Sequence, residues 1–164
     1  MRFHLRQLVR APLVHVEAAL LDPAFIAHLA TLPDLGQPAL LDQSEAGDIV
    51  QRRIRYAFVG ELSAAVTAVV DPRRLTWVEE SAFARSTHRS TFRIVPDHYA
   101  NLLEAAGAIT LRPEDGLVAR EAEGDLRVRL PLVGRKVETA IVQGMAAHAE
   151  READALQRWI DAGR

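Results

Sequence analysis

The sequence predicts an α+β fold, in which a curved antiparallel sheet of seven strands packs around one long C-terminal helix. Apolar and polar residues alternate through most of residues 49–130, as they do in half-buried strands. Two short helical patterns precede this stretch, and one amphipathic pattern runs from Gly134 to Ile160. A long helix that follows a run of strands has to bury its apolar stripe against their sheet.

The N-terminal part of the chain is predicted to form one strand followed by a short helical hairpin. Residues 2–9 alternate between apolar and polar side chains, which is the period of a half-buried strand. Pro12 suits the first turn of a helix that reaches Leu21. Asp22 and Pro23 then provide an N-cap and an N1 proline, so a second short helix begins there.

Further strands are predicted from residue 49 onward. The first covers residues 49–58, and Gly60 marks the turn into the second, at residues 62–70. The remaining strands are expected at residues 75–83, 87–95, 102–111 and 117–130, separated by turns. A kink is expected at Gly124, where the last strand lacks a side chain.

The predicted terminal helix is poor in large side chains at its middle. Gly144 lies there, and alanines surround His148. Glycine lowers helix stability by about 1 kcal/mol relative to alanine unless a close approach makes use of it. A thin helix over a curved sheet would leave a cavity, and small ligands bind in such cavities.

Length and composition favour a single domain, residues 1–164. A chain of this size buries roughly 70% of the surface that its unfolded form exposes, so it needs no covalent cross-links. It contains no cysteine, which excludes disulfides and thiolate chemistry and favours a cytoplasmic location. Residues 1–9 lack the pattern of a signal peptide, and no apolar run could span a membrane, so no integral membrane association is expected.

Charge does not predict a nucleic-acid partner. The net charge is −2, and all of the 20 basic residues except Lys136 are arginines scattered along the chain, as a compositional bias would scatter them. Arg52, Arg53 and Arg55 form the densest group. Strand alternation sends Arg52 to one face and the other two to the opposite face, so they form a weak patch for nucleic acid.

No motif for a cofactor or a metal is recognised. The sequence lacks a glycine-rich phosphate loop and a serine nucleophile elbow. His148 and Glu152 stand at a spacing that could share a metal, but two ligands do not complete a site. An ion pair or a solvated helix face is the preferred interpretation, and neither a metal nor a cofactor is predicted.

Three stretches of sequence, together with the order of the elements, resemble one superfamily. They are residues 20–25 (LLDPAF), 71–77 (DPRRLTW) and 131–138 (PLVGRKVE). Over essentially its whole length the chain resembles the START-like, polyketide cyclase and Bet v 1 (SRPBCC) superfamily, and the third stretch is similar to an uncharacterised actinobacterial branch. The resemblance implies a helix-grip fold with a hydrophobic cavity. Its members carry lipids, bind hormones or polyketides, cyclise polyketides or act as co-chaperones, and fold alone does not choose among these functions.

Alternation places polar and apolar side chains together on the wall of the predicted cavity. His88 and Ser90 share a strand face with Phe92, and beside Arg52 and Tyr56 they could orient a ligand carbonyl or carboxylate or assist proton transfer. Alternatively, His88 is a satisfied histidine near the cavity mouth. The full candidate ligand-binding set is Arg52, Tyr56, Phe58, Trp77, Glu79, His88, Ser90, Phe92, Ile141 and Met145.

The orientation of the strand that carries Trp77 and Glu79 is left open by the sequence. The two residues share a face, but Val78 and Ala82 make the opposite face apolar as well. Inside an apolar cavity the Glu79 carboxyl would have a raised pKa and could act as a general acid or base. On the outside of the sheet it would be solvated.

The sequence therefore predicts binding or transport of a small hydrophobic or amphipathic molecule, with an apolar body and one polar or acidic end. A first alternative is a cyclase or dehydratase that acts on a polyketide-like substrate through His88, Arg52 and Tyr56, so catalysis is left open. A second alternative is a protein-interaction module. Homodimer formation is also left open.

Overall fold

Seven strands form a single antiparallel sheet in the computed structural model, which describes residues 1–59, 64–68 and 70–163. They are β1 (Arg2–Val9), β2 (Ala39–Ala46), β3 (Ile49–Ala57), β4 (Thr76–Ala84), β5 (Arg89–Pro96), β6 (Leu103–Glu114) and β7 (Leu117–Val128). Their order across the sheet is β1-β7-β6-β5-β4-β3-β2, so β1 and β2 form its edges.

The helices among the described residues are α1 (Leu13–Leu21), α2 (Pro23–Leu29), the short α3 (Ala64–Thr67) and α4 (Gly134–Asp161). The predicted helical hairpin is confirmed, because the Asp22 carboxylate accepts a hydrogen bond from the Ala24 N–H at 2.8 Å and Pro23 opens α2. The long terminal helix is confirmed as well. Within the described residues, no helix is both long enough and apolar enough to cross a membrane.

One predicted strand is wrong, and a different strand completes the sheet. In the range 62–70 the described residues 64–67 form α3, in an alanine-rich segment that favours helix over strand. Residues 60–63 and 69 lie outside the described residues, as does the turn expected at Gly60. The strand that was not predicted is β2, an edge strand whose side chains are mostly exposed and whose register shifts at a bulge. It therefore lacks the apolar alternation by which strands are recognised.

The core lies between one face of the sheet, here called the inner face, and the helices α1, α2 and α4. Its larger part, here called the packed end, joins α1, α2 and the C-terminal half of α4 to the sheet. Its buried members include Val9, Val16, Phe25, Ile54, Val118, Leu156 and Trp159. Phe25 is completely buried, and its ring centroid lies 5.6 Å from that of Trp159.

The smaller part of the core, here called the open end, lies beneath the N-terminal half of α4. Phe3, Ala105 and Leu126 are its buried residues, and the side chains packed against them are only partly buried. These partly buried side chains are Leu5, Phe92, Ile94, Leu103, Ile141, Val142 and Met145. The two ends of the core therefore differ in how completely α4 covers the sheet.

Two glycines form the floor of the open end. Gly107 and Gly124 are paired across β6 and β7. A Cβ atom at Gly107 would come within 2.9 Å of the Phe92 ring, and one at Gly124 within 2.8 Å of the Phe3 ring. The register of β7 continues through Gly124 without a shift, so no bulge forms where the kink was expected. The glycines instead make room for two aromatic rings on the sheet.

Candidate functional site

Strand pairing decides which side chains of β3 and β4 face the core. Ile54, which is 1% exposed and belongs to the packed end, pairs with Glu79. Tyr56 pairs with Trp77 and Arg52 pairs with Ser81 in the same register. Directly paired residues of antiparallel strands point to the same face, and alternate residues do so as well. Trp77 and Glu79 therefore lie on the inner face, which settles the orientation that the sequence leaves open.

Six polar side chains gather between the inner face and α4, and we call them the buried polar cluster. The sheet contributes Arg52, Tyr56, Glu79 and Arg120, and α4 contributes His148 and Glu152. Arg120 and Glu152 form an ion pair at 3.0 Å, with side chains only 11% and 14% exposed. This pair fixes the C-terminal half of α4 to β7.

Arg52 and Tyr56 are held by partners on different elements. The Arg52 guanidinium donates a hydrogen bond to the Leu20 carbonyl oxygen of α1 at 2.5 Å. The Tyr56 ring stacks on the Trp77 ring at 6.0 Å between centroids and meets the edge of the His148 ring at 6.1 Å. Tyr56 is thus enclosed by aromatic neighbours from β4 and α4.

Burial and the neighbouring charges shift the pKa values of the cluster in different directions. Burial raises the pKa of Tyr56 well above its usual value and lowers the pKa of His148, so both groups are neutral near pH 7. Burial also raises the pKa of Glu79, and the charge of Arg52 only partly opposes the shift. Burial also tends to raise the pKa of Glu152. The charge of the Arg120 guanidinium outweighs this effect, so the pKa of Glu152 is lowered.

The two carboxyl groups of the cluster are therefore in different situations. Glu152 is an ionised partner of Arg120, whereas the carboxyl group of Glu79 forms no hydrogen bond or ion pair with any described residue. Carboxyl groups with pKa values displaced in opposite directions are typical of sites that bind or transfer protons. Arg52 supplies a cation whose remaining N–H groups are free of ion pairs within the described residues.

Several predicted site residues come together around this cluster. Arg52, Tyr56, Trp77 and Glu79 lie on the inner face together with Phe92, which pairs with Ser81. Ile141 and Met145 of α4 pack over the open end. These residues place an apolar wall of partly buried side chains beside the polar cluster.

Two other predicted residues are peripheral to the cluster. Phe58 follows β3 and is partly buried, and its N–H donates to the Leu75 carbonyl oxygen at 2.8 Å. Ser90 lies on the same face as Phe83, with which it pairs, and its hydroxyl donates to the Thr91 carbonyl oxygen at 3.4 Å. Ser90 lies on the expected face, but no described contact joins either residue to the charged groups.

No described contact joins His88 to Arg52 or Tyr56, beside which it was expected. The strand predicted from residue 87 begins only at Arg89, after a 3-10 turn at Arg85–Thr87, and His88 lies between the two with a left-handed φ of 53°. Its imidazole contacts the Glu17 carboxylate of α1, and its side chain is 38% exposed. Alternation fails at this position because the extended backbone begins only at Arg89.

Sequence reasoning missed Arg120 and misplaced two residues of α4. Val118, Arg120, Ala122 and Leu126 occupy one face of β7, so an arginine in an otherwise apolar row was the available signal. His148 and Glu152 were expected in an ion pair or on a solvated face. The ion pair exists, but Glu152 makes it with Arg120, and both α4 residues face inward. In the described part of the chain, no three acidic or histidine side chains approach closely enough to hold a metal.

Two depressions are present on the described surface. One, of about 390 Å³, is a groove between β1 and α4 that includes Gln7, Arg10 and Glu150. The other, of about 470 Å³, runs across β3, β4 and β5, and its lining includes Arg53 and Glu80 together with Arg52, Ser81 and Phe92. Neither corresponds to the cavity predicted between the sheet and the terminal helix.

Solved structures of other proteins share this fold. TTHA0849 from Thermus thermophilus has a TM-score of 0.69 at 13% identity, covering 99% of this chain and 99% of that chain. Norcoclaurine synthase from Thalictrum flavum has a TM-score of 0.64 at 18% identity, covering 98% and 86%. Zhui aromatase/cyclase from Streptomyces sp. R1128 has a TM-score of 0.58 at 15% identity, covering 96% and 89%.

These likenesses confirm the START-like, Bet v 1-like fold that the sequence resembles, and identities this low show the fold alone. No protein of curated function matches the sequence significantly. A family model described as "Protein of unknown function (DUF2505)" matches residues 5–160.

Proposed function

The chain belongs to the DUF2505 family, and we propose that it binds a small amphipathic molecule between its sheet and α4. One observation carries this proposal: the buried polar cluster adjoins the open end, whose apolar side chains are only partly buried. The apolar body of such a ligand would cover the open end, and its polar end would pair with the cluster. Fold relatives that are named for chemistry on small organic molecules support the same class of ligand.

The energetics of the cluster favour a polar end on that ligand. A buried donor or acceptor that loses its partner costs roughly 1–3 kcal/mol, so an entirely apolar ligand would be penalised beside Arg52 and Glu79. The surrounding Trp77, Phe92 and Met145 offer apolar and aromatic surface to the rest of the molecule. A fatty acid, an isoprenoid acid or an aromatic phenol meets both requirements, whereas a sugar or a nucleotide does not.

A test is to fill the proposed cavity. Ser81 lies on the inner face between Arg52 and Phe92, so Ser81→Phe should place a ring in the ligand space. We expect this variant to fold with little loss of stability and to lose the thermal shift that amphiphiles give the wild type. Thr91→Phe is the matched control, because Thr91 is exposed on the opposite face of the neighbouring strand.

Two results would contradict the proposal. One is the absence of any bound species in native mass spectrometry together with no thermal shift from fatty acids or aromatic phenols. The other is a strong destabilisation by Ser81→Phe, because overpacking a filled interior costs about 1–3 kcal/mol. Both results together would favour the protein-interaction module.

A second candidate function is proton transfer to or from a bound carbonyl compound, as in a cyclase or dehydratase. The observation that favours it is that the Glu79 carboxyl, whose pKa is raised, lies near the Arg52 guanidinium. The guanidinium could stabilise the negative charge on an enolate oxygen. The test is deuterium exchange at the α-carbon of an added aromatic ketone, followed by NMR in D₂O. Exchange that is catalysed by the wild type and lost in Glu79→Gln would support catalysis, and equal exchange with and without protein would exclude it for that ketone.

A further inference from the structure

The cations of the buried polar cluster are not equally satisfied. Arg120 has a full counter-charge, since its guanidinium lies 3.0 Å from the Glu152 carboxylate. Arg52 has only the neutral Leu20 carbonyl oxygen as an acceptor, and it forms no ion pair with any described residue. An arginine carries five N–H donors in a planar fork that matches a carboxylate. Arg52 is therefore a half-buried cation that has no counter-ion among the described residues.

Only one of the two arginines in the cluster is neutralised by an ion pair with a described residue. Arg52 and Arg120 carry two positive charges between them, and among the described residues only the Glu152 carboxylate lies within ion-pair distance of either, next to Arg120. Burial raises the pKa of Glu79, so its neutral acid is favoured over a wider pH range, and that acid can donate an O–H. Tyr56 and His148 add no charge near neutral pH.

Strand register continues from Arg52 directly into the apolar part of the site. Arg52 pairs with Ser81, Ser81 with Phe92, and Phe92 with Gly107. The row therefore starts at the unpaired cation and ends on the glycine floor beneath the partly buried open end. A molecule lying along this row would have one end at Arg52 and its apolar body over Phe92.

We infer that the ligand of this site is an aliphatic or aromatic carboxylic acid, whose carboxylate is bound by the Arg52 guanidinium while its apolar body lies over Phe92. This inference rests on the proposed function and names its ligand class. The carboxylate would supply the counter-ion that Arg52 lacks, and Ser81 and the acid form of Glu79 lie close enough in register to donate further hydrogen bonds.

The test compares dodecanoate with dodecanol, and naphthoate with naphthalenemethanol, by calorimetry on the full chain. We expect each acid to bind the wild type at least about tenfold more tightly than the matched alcohol, since a charge-assisted hydrogen bond is worth that much. Arg52→Gln should weaken binding of the acid far more than binding of the alcohol and so remove this preference, because glutamine can donate a hydrogen bond to either ligand but carries no charge. Arg53→Gln is the matched control, as Arg53 is exposed on the opposite face and pairs with Glu80 at 3.4 Å.

The outcomes separate this inference from the proposed function. If acid and alcohol bind the wild type equally, or if Arg52→Gln keeps the preference for the acid, the inference is overturned and amphiphile binding stands. If neither member of either pair binds, both fail. Should Arg52→Gln not fold, Arg52→Lys keeps the charge without the fork, and the comparison of acid and alcohol on the wild type decides by itself.

Discussion

The packed end and the open end lie under the same helix, yet they differ in what α4 covers. At the C-terminal half of α4 the side chains of Phe25, Ile54 and the helix residue Leu156 are shielded from solvent almost completely. Beneath its N-terminal half most apolar side chains are partly exposed, and a cluster of charges separates the two ends. The packed end accounts for stability, whereas the open end and the cluster leave surface and charge that a ligand could use.

The largest change in stability that would test this comparison is expected from a substitution at the packed end. Trp159→Ala should lower the free energy of unfolding by about 3–5 kcal/mol, because it leaves a cavity beside Phe25. Met145→Ala at the open end should cost less than about 2 kcal/mol, since Met145 is only partly buried. Urea denaturation of both variants measures the difference. A Trp159→Ala variant that melts within a degree or two of the wild type would refute the assignment of a packed end.

The next effect is expected at the boundary between the two ends. Glu152→Gln should cost about 3 kcal/mol at neutral pH, because it leaves the Arg120 charge buried without a partner. The lowered pKa of Glu152 means that its contribution to stability is present above the usual carboxyl pKa and is lost as pH falls through the lowered value.

Unfolding free energies measured across the acid range would show this contribution as a difference between wild type and Glu152→Gln that shrinks with falling pH. Glu80→Gln is the matched control, because Glu80 forms ion pairs with the exposed Arg53 and Arg93 on the outer face, and it should cost less than about 1 kcal/mol. If Glu152→Gln and Glu80→Gln lowered the free energy of unfolding equally, the cluster would be as solvated as the surface.

A smaller effect of opposite sign is expected at Gly144 of α4. This glycine is exposed, and a Cβ atom there would meet nothing within 4 Å. No close approach uses its small size, so Gly144→Ala should stabilise the protein by about 1 kcal/mol through helix propensity alone. A thermal melt would show a rise of a few degrees, and a decrease would mean that α4 approaches another element there.

The smallest effect is expected at Glu79, which still has contact with solvent. The folded pKa of Glu79 is raised, so its contribution to stability is full below the usual carboxyl pKa and is lost as pH rises through the raised value. Glu79→Gln should therefore melt slightly higher than the wild type at neutral pH and like it in acid. Melting curves at several pH values measure this, and parallel pH profiles of the two proteins would contradict the assignment of Glu79 to the interior.

The sequence predicted the elements whose local chemistry is strong. The Asp22-Pro23 pair marked the helical hairpin, and regular alternation marked β3 and placed Arg52 and Tyr56 on one face. Edge strand β2 could not be recognised, because most of its side chains are exposed and its sequence lacks apolar alternation. The side of β4 that carries Glu79 could not be inferred either, since Val78 on the outer face is only 5% exposed.

Alternation also failed to predict side-chain direction where the backbone is not extended. It could not predict ion pairs whose two members lie on elements that are distant in sequence. The 3-10 turn before β5 redirected His88 toward α1, and no local pattern announces such a turn. Arg120 and Glu152 meet only because α4 crosses β7, which depends on the assembled fold. Charged groups that stabilise each other across a core are therefore visible in sequence only as residues that interrupt apolar rows.

The polar cluster takes its members from β3, β4, β7 and α4, so no single segment of the chain contains the proposed site. A molecule that binds there would bind the folded chain and not the unfolded one. At a concentration one hundred times its dissociation constant it would add about 2.7 kcal/mol to the free energy of unfolding. The supply of such a molecule would then set how often the chain opens to proteases, and with it the lifetime of the protein.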